Sequence, residues 1–584
     1  MTGTALKLDL SAVPDDGRSD TAALGRAAPV VGGEIAADHR RAWLVFGPAV
    51  LIAAYGAVLF GFHLGSYGLW EPDEARYAEI AREMVERANF LAPHLNYVLY
   101  VEKPPLLYWL TALAFNLFGL NEFAARLVPA LAAIVGLVVT YLFGSLVFDR
   151  RRGAIAAVAL ATMPLYAVMA QVLNTDMLLT GFITIAFFAF FLHWRDGGRW
   201  CWLAWIAIAM AVLTKGPVGA VIPGLAAFTF LAWERDLRGA FRRFRVIAGL
   251  ALNFAIVAPW FIYMIVKIPG YFDFYFVGEH LRRFMEPGYS HKEPLYFYFP
   301  VIAAGMLPWS ALALLLDWRA VSFTPAHRFC AIAALVVFFF FSLAHAKLIP
   351  YVLPLFPPTA IMLGDAIAAT MESHPWRLVA AAPILGVVGA AAAFVARFAH
   401  LFSSPYIEPV RPTLVAIAVI GLVGGVIASA AFWIGRAGGR FEFTTLAICT
   451  TLMLMAGSYG RIAVEPLRSY AKLCRRVADQ AADTRLVCYH RYVQALPLYA
   501  RRRVILVGAK TELAFGAAHS PDADAWFLNG DAALLKLWNK PGPVILVIDR
   551  PDLQRLRDRL GSFTVIGSEW KKVAIRKSAA SAGK

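Results

Sequence analysis

Charge is scarce in this chain. Of its 584 residues only 16% are Asp, Glu, Lys or Arg, and 60% are hydrophobic, whereas an ordinary soluble domain has about 25% charged and about 45–50% apolar residues. A single soluble globule is excluded. Cysteine is scarce too. Of the five, Cys201, Cys330 and Cys449 sit in apolar runs and Cys474 and Cys488 in the polar C-terminal stretch, at spacings that form no zinc or redox motif. The 33 Pro, 44 Gly and 14% aromatics follow no short period, which removes collagen, a solenoid of identical repeats and a disordered polymer. Fifty-five basic residues exceed 39 acidic ones, a net charge of +16, and one soluble basic patch of that size would suit nucleic acid. The basic residues instead cluster between apolar runs, as they do when positive charge orients a chain in a bilayer. No nucleic-acid partner is expected, and no glycine-rich strand-to-helix turn calls for a nucleotide cofactor.

What is there reads as an α-helical polytopic membrane protein. Residues 1–42 lack apolar periodicity and read as a disordered cytoplasmic tail, without the apolar core and cleavage site of a signal peptide. Thirteen runs are long enough to span a bilayer: 43–62, 127–148, 154–173, 177–194, 200–214, 216–233, 246–266, 295–316, 329–346, 348–364, 378–395, 414–434 and 443–459. With Arg40 and Arg41 inside, the clusters at 150–152, 195–199, 235–245, 319–328, 377 and 436–440 all fall in the cytoplasm. The odd count puts 461–584 outside the cytoplasm. There, short apolar runs such as 486–489, 504–507 and 544–548 alternate with helical stretches such as 550–560, the pattern of a small α/β domain. On that face Cys474 and Cys488 are free to pair. Residues 106–120 are apolar but too short to cross and read as an interfacial helix, so the first external loop runs over 63–126.

Ionisable groups at membrane depth are expensive and mark pathways or catalytic sites. Here they collect on the outer face: Glu71, Asp73, Glu74, Arg76, Tyr77, Glu79 and Arg82, then Tyr100, Glu102 and Lys103, then Asp176, Lys215, residues 279–283, His291, Lys292 and Lys347. After Pro72, helical spacing puts Asp73, Arg76 and Tyr77 on one face. By capping alone this is equally an amphipathic surface helix. Asp176 reads as a hairpin turn or a second acid, and Lys215 as a snorkelling anchor or a phosphate ligand. Glu279-His280-Leu281-Arg282-Arg283 has the groups for phosphate or metal binding.

Taken in order, these blocks resemble the GT-C membrane glycosyltransferases of the protein mannosyltransferase superfamily, most closely the bacterial lipid A aminoarabinose transferases. The resemblance runs from about residue 43 through Asp73-Glu74-Ala75-Arg76-Tyr77-Ala78-Glu79, Glu102-Lys103-Pro104-Pro105-Leu106-Leu107-Tyr108-Trp109, Asn174-Thr175-Asp176, Thr214-Lys215-Gly216-Pro217, Pro259-Trp260-Phe261, Glu279-His280-Leu281-Arg282-Arg283-Phe284, His291-Lys292-Glu293-Pro294 and Lys347-Leu348-Ile349-Pro350-Tyr351. Tyr489-His490-Arg491-Tyr492 to Tyr499 resembles the family's periplasmic domain. The single blocks are short, but their series is specific.

The resemblance implies a GT-C catalytic domain over 43–460 and a periplasmic domain over 461–584 in the bacterial inner membrane. It further implies a monomer that moves aminoarabinose from undecaprenyl phosphate to a lipid A phosphate. Asp73 is then the catalytic carboxylate, either a base for the acceptor or a partner of the sugar, with Asp176 as second acid. Arg76, Lys103, Lys215, Arg282 and Arg283 are candidates for the donor phosphate, and Tyr77, Tyr100 and Tyr351 for the sugar and lipid pocket. Glu102 and His280 are candidate ligands of a divalent ion such as zinc, although two ligands do not define a metal site. Relatives moving galacturonic acid, a hexose or mannose onto other acceptors share the membrane half, so the sugar and acceptor stay open here. A transporter would carry its charges through the midplane and often show inverted repeats; this sequence does neither.

Overall fold

The computed structural model describes residues 47–282, 293–434, 438–480, 483–509 and 511–578. The expected tail over 1–42, the first residues of the first span, and Arg283, His291 and Lys292 lie outside the described residues, as does the side chain of His280. Among the described residues, eight helices are long and apolar enough to cross a membrane, and five shorter apolar helices accompany them. The chain is a multi-pass membrane protein.

The helices are α1 (Gly47–Gly61), α2 (Asp73–Glu86), α3 (Leu106–Phe118), α4 (Glu122–Val147), α5 (Arg150–Ala161), α6 (Pro164–Met169), α7 (Thr175–Asp196), α8 (Trp200–Lys215) and α9 (Val218–Trp233), followed by Val246–Lys267 and the later spans. Short polar side chains start several of them by satisfying free backbone N–H groups. Asn121 Oδ1 accepts from Ala124 N at 2.8 Å, Asp149 Oδ1 from Arg152 N at 2.9 Å and Asn174 Oδ1 from Met177 N at 2.7 Å. Two expected spans are broken. The run 154–173 divides between α5 and α6 around Thr162 and Met163, where Pro164 cannot donate to a continuing helix. The run 295–316 divides into Leu295–Phe297, Tyr298–Gly305 and Trp309–Ala313, interrupted before Pro308. Both breaks follow from proline inside an apolar run, which hydropathy alone does not register.

The C-terminal part contains a six-stranded sheet in the order β5-β4-β3-β6-β8-β7, made of β3 (Arg485–Tyr489), β4 (Ile505–Val507), β5 (Phe527–Leu528), β6 (Val544–Asp549), β7 (Phe563–Glu569) and β8 (Lys572–Lys577). β5, β4, β3 and β6 run parallel, and β8 pairs antiparallel with both β6 and β7. The parallel strands are continuous apolar runs because both faces are covered. Cys474, on the helix Ala471–Ala478, and Cys488, in β3, are buried free thiols, so the pairing allowed by topology is not formed. Removal from water raises the Cys488 thiol to about 11.

This sheet is not a separate body on a linker. Leu473, Cys488, Val493 and Leu496 belong to the same buried cluster as Tyr77, Ile80 and Met84 of α2. The loop 63–126 supplies the seam. Its hairpin, β1 (His94–Leu95) and β2 (Val98–Leu99), turns through Asn96 and Tyr97, both at positive φ (54° and 64°), the twist a two-residue hairpin turn needs. Asn96 then clamps the backbone entering β4, donating to Val504 O at 2.9 Å and accepting from Val504 N at 2.8 Å. Gly516 faces β2 so closely that a Cβ would meet Leu99 O at 2.1 Å.

Candidate active site

The site grows from α2. Its first turn carries Asp73 and Glu74, acids at the positive end of a helix, and the two side chains part company. Glu74 turns inward to Arg126 of α4, whose Nε and Nη2 each donate at 2.8 Å to a different carboxylate oxygen. Arg126 is 0% exposed, and its remaining donors reach the carbonyls of Leu64, Tyr67 and Gly68 at 2.9–3.1 Å. The same carboxylate accepts from Leu173 N at 2.8 Å. Leu173 immediately precedes Asn174, the cap of α7, so Glu74 ties α2 to the turn presenting Asp176.

Asp73 faces outward, with its side chain 63% exposed and 3.6 Å from Arg76 Nη2. Arg76 is drawn in further: Nη2 lies 3.0 Å from Glu512 Oε2 of the C-terminal part, and Nη1 donates to the Tyr100 hydroxyl at 3.3 Å. Burial works against the Arg76 charge, but Tyr100, Glu512, Tyr77 and Asp73 outweigh it and hold its pKa above the usual arginine value. Burial likewise raises Glu512, with Arg76 opposing. The Tyr100 hydroxyl in turn donates a hydrogen bond to Glu102 Oε2 at 2.7 Å, so Tyr100, 1% exposed, is a bridge between a cation and a carboxylate and not an open wall. Tyr77 is buried against Tyr108, with ring centroids 5.9 Å apart. Burial pushes its phenol well above the ordinary tyrosine value, and Asp73, Tyr108 and Asp176 push the same way.

Opposite, Lys215 at the end of α8 pairs with Asp176 in the first turn of α7, and both are largely buried. Its ammonium lies 4.1 Å from the centre of the Tyr351 ring, within cation–π range. The structure thus brings together Asp73, Arg76, Tyr77, Tyr100 and Glu102 and, through Tyr77, Asp176 with Lys215 and Tyr351. Lys103 is half-buried beside Glu102. Arg282, exposed, ends the wide helical segment Asp273–Arg282. The Glu102 carboxylate is engaged by Tyr100, and the described residues contain no group of three His, Cys, Asp or Glu able to hold a metal.

Among the charged groups around α2, Glu512 was not singled out by sequence. Glu512 follows no motif, and its pairing with Arg76 depends on tertiary docking. Glu71 accepts from Gln494 N at 3.1 Å and Ala495 N at 2.6 Å, anchoring the entry to α2 on the C-terminal part, and burial raises its carboxyl to about 8. Lys347 is held by the carbonyls of Ala344 and Glu293 at 2.7 and 3.0 Å.

Comparison with known proteins agrees with this arrangement. Residues 102–263 match the family described as dolichyl-phosphate-mannose-protein mannosyltransferase, and residues 473–577 match the aminoarabinose transferase C-terminal domain. An undecaprenyl phosphate-α-4-amino-4-deoxy-L-arabinose arabinosyl transferase of Pseudomonas fluorescens is 30% identical over 424 residues, 70% of this chain and 71% of that protein. The transferase of the same name from Shewanella sediminis is 32% identical over 338 residues, 56% of this chain and 61% of the relative's length. The crystal structure of ArnT from Cupriavidus metallidurans bound to undecaprenyl phosphate superposes with a TM-score of 0.81 at 28% identity, covering 92% of this chain and 99% of that one. The chain belongs to the undecaprenyl phosphate-α-4-amino-4-deoxy-L-arabinose arabinosyl transferase family, membrane glycosyltransferases of the GT-C fold.

Proposed function

We propose that this chain, as a monomer, transfers 4-amino-4-deoxy-L-arabinose from undecaprenyl phosphate to a phosphate of lipid A at the periplasmic face of the inner membrane. Family membership supports the reaction class. The observation that carries the reading is Asp73, an exposed carboxylate on the same helical face as Arg76 and Tyr77, with Tyr77 under the charge of both Asp73 and Asp176, the partner of Lys215.

In the transfer, an oxygen of the acceptor phosphate attacks C1 of the sugar. The bond from C1 to the donor phosphate oxygen breaks, and undecaprenyl phosphate leaves with the electron pair. Positive charge grows on the ring and negative charge on the leaving phosphate, so fixed cations favour the transition state over the ground state. Arg76 offers a planar fork suited to phosphate, and Lys215 a compact ammonium with three donors. Lys103 and Arg282 are further cations for the same phosphate. An acceptor phosphate monoester, with a second pKa of about 6, is already nucleophilic at neutral pH. Asp73 therefore serves to take up a residual acceptor proton or to hold the positively charged sugar. Tyr77, buried, and Tyr351, half-buried, supply ring faces for the sugar.

The test is turnover by the purified chain in proteoliposomes supplied with undecaprenyl phosphate aminoarabinose and lipid A. Aminoarabinose-bearing lipid A is the expected product. Failure of a folded chain to form it, with turnover of a different polyprenyl-phosphate sugar, would overturn the substrate assignment.

A further inference from the structure

The helix bundle leaves a half-open apolar cavity of about 360 Å³ between α1, α6 and the helices Tyr298–Gly305, Ala381–Arg397, Ile407–Trp433 and Arg440–Ala463. One face of the last helix, Thr450, Met453, Leu454, Gly457 and Arg461, runs along it. At the helical rise this face is about 16 Å long from Thr450 to Arg461. None of Asp73, Arg76, Lys103, Asp176 or Lys215 lines the cavity.

Its polar end is electrostatically incomplete. Arg461 donates to the Gln171 amide oxygen, a neutral acceptor, and among the described residues it forms no ion pair with a carboxylate. The nearby Glu74 is committed to Arg126 through two 2.8 Å bonds, and that pair is neutral. Adding Arg461 leaves one net positive charge. Two donors at this end, Arg461 Nε and Trp70 Nε1, are buried without an acceptor. Native structures rarely leave buried donors orphaned, and a cation at membrane depth without a counter-charge is costlier still. A cation at the head of a long apolar slot is complementary to an amphiphile with an anionic head and a hydrocarbon chain.

We propose that the cavity holds an anionic phospholipid of the surrounding bilayer, its phosphate against the Arg461 guanidinium and one acyl chain along the face from Thr450 to Gly457. The bound lipid would complete the wall behind the Glu74–Arg126 pair and thereby support α2 from the side opposite Arg76.

Native mass spectrometry of the full chain released from nanodiscs tests this, with phosphatidylglycerol and phosphatidylcholine as the two probes. The expected result is one retained phosphatidylglycerol and no retained phosphatidylcholine. Arg461→Gln, whose amide can still donate to Gln171, should lower phosphatidylglycerol retention at least tenfold. Gly457→Leu should do the same by filling the slot, since a Cβ at Gly457 meets nothing within 4 Å and the variant leaves every charge in place. Equal retention of the two lipids, or wild-type retention by both variants, would overturn the proposal. Displacement of phosphatidylglycerol by added undecaprenyl phosphate would also overturn it, by making the cavity part of the donor site. Because the readout is lipid mass, a chain inactive in transfer that still retains phosphatidylglycerol sinks only the reaction proposed above.

Discussion

Arg76 of α2 and Glu512 of the C-terminal part lie 3.0 Å apart, nitrogen to oxygen, so the domain after the last span contributes directly to the electrostatics of the helix carrying Asp73. Without Glu512, Arg76 keeps Tyr100 and a long contact to Asp73 and loses its best partner. A hydrogen bond between charged groups is worth about 1.5–3 kcal/mol. Glu512→Gln should therefore lower kcat/KM by about 10- to 100-fold while the purified protein stays monodisperse. Wild-type kcat/KM would show that the C-terminal part is scaffolding only.

The Lys215–Asp176 pair makes a second prediction. Lys215→Met removes a cation placed over the Tyr351 ring and frees the Asp176 carboxylate to repel a phosphate. Binding of undecaprenyl phosphate to the purified variant should weaken by about 1.5–3 kcal/mol. Lys215→Arg should restore it only in part, since a planar fork does not fill the place of a compact ammonium. Unchanged affinity in Lys215→Met, measured by titration in detergent, would mean that Lys215 only anchors its helix.

Glu74 and Arg126 should behave differently, as structure rather than chemistry. Breaking a buried ion pair from one side leaves an uncompensated charge and costs about 3–5 kcal/mol. Glu74→Gln strands Arg126 and slackens the bond to Leu173 N. It should lower the thermal unfolding midpoint and, by loosening the Asp176 turn, reduce turnover. A midpoint equal to that of the wild type would show that the pair carries no stability.

Glu71 gives a pH signature. Its carboxyl is raised from 4.5 to about 8 in the folded chain, so across that window the folded state binds more protons than the unfolded one. Stability then falls as pH rises from about 4.5 to about 8, and the penalty is complete above that range. Glu71→Gln abolishes the titration. Plotted from about pH 5 to about pH 9, the wild-type unfolding midpoint should drop relative to that of the variant as pH rises. Parallel curves would contradict the assignment.

What the sequence made legible was local. The i, i+3, i+4 spacing was enough to place Asp73, Arg76 and Tyr77 on one face, and the apolar run 177–194 marked the body of α7. The apolar strands β3 and β6 could be read from their runs of Val, Ile and Leu, whereas β7 could not, because its polar and apolar positions mix at a sheet edge. Contacts between distant segments were illegible for a physical reason. Arg126 looks like any basic residue near a helix start until Glu74 is brought to it, and nothing around Glu512 shows that it will meet α2. The seam made by Asn96 and Val504 is likewise a backbone contact with no side-chain pattern on its second partner.

In the proposed reaction this chain places aminoarabinose on lipid A with Asp73 at the reacting centre. Mass spectrometry of lipid A from cells lacking their own transferase, complemented with the wild-type chain or with Asp73→Asn, tests it most directly. Asn has nearly the shape of Asp, and α2 starts after Pro72 with no side-chain cap bond to lose, so the substitution removes the charge and keeps the fold. Aminoarabinose-modified lipid A is expected with the wild type and unmodified lipid A with Asp73→Asn at equal expression. Unmodified lipid A with both, or full modification with both, would contradict it.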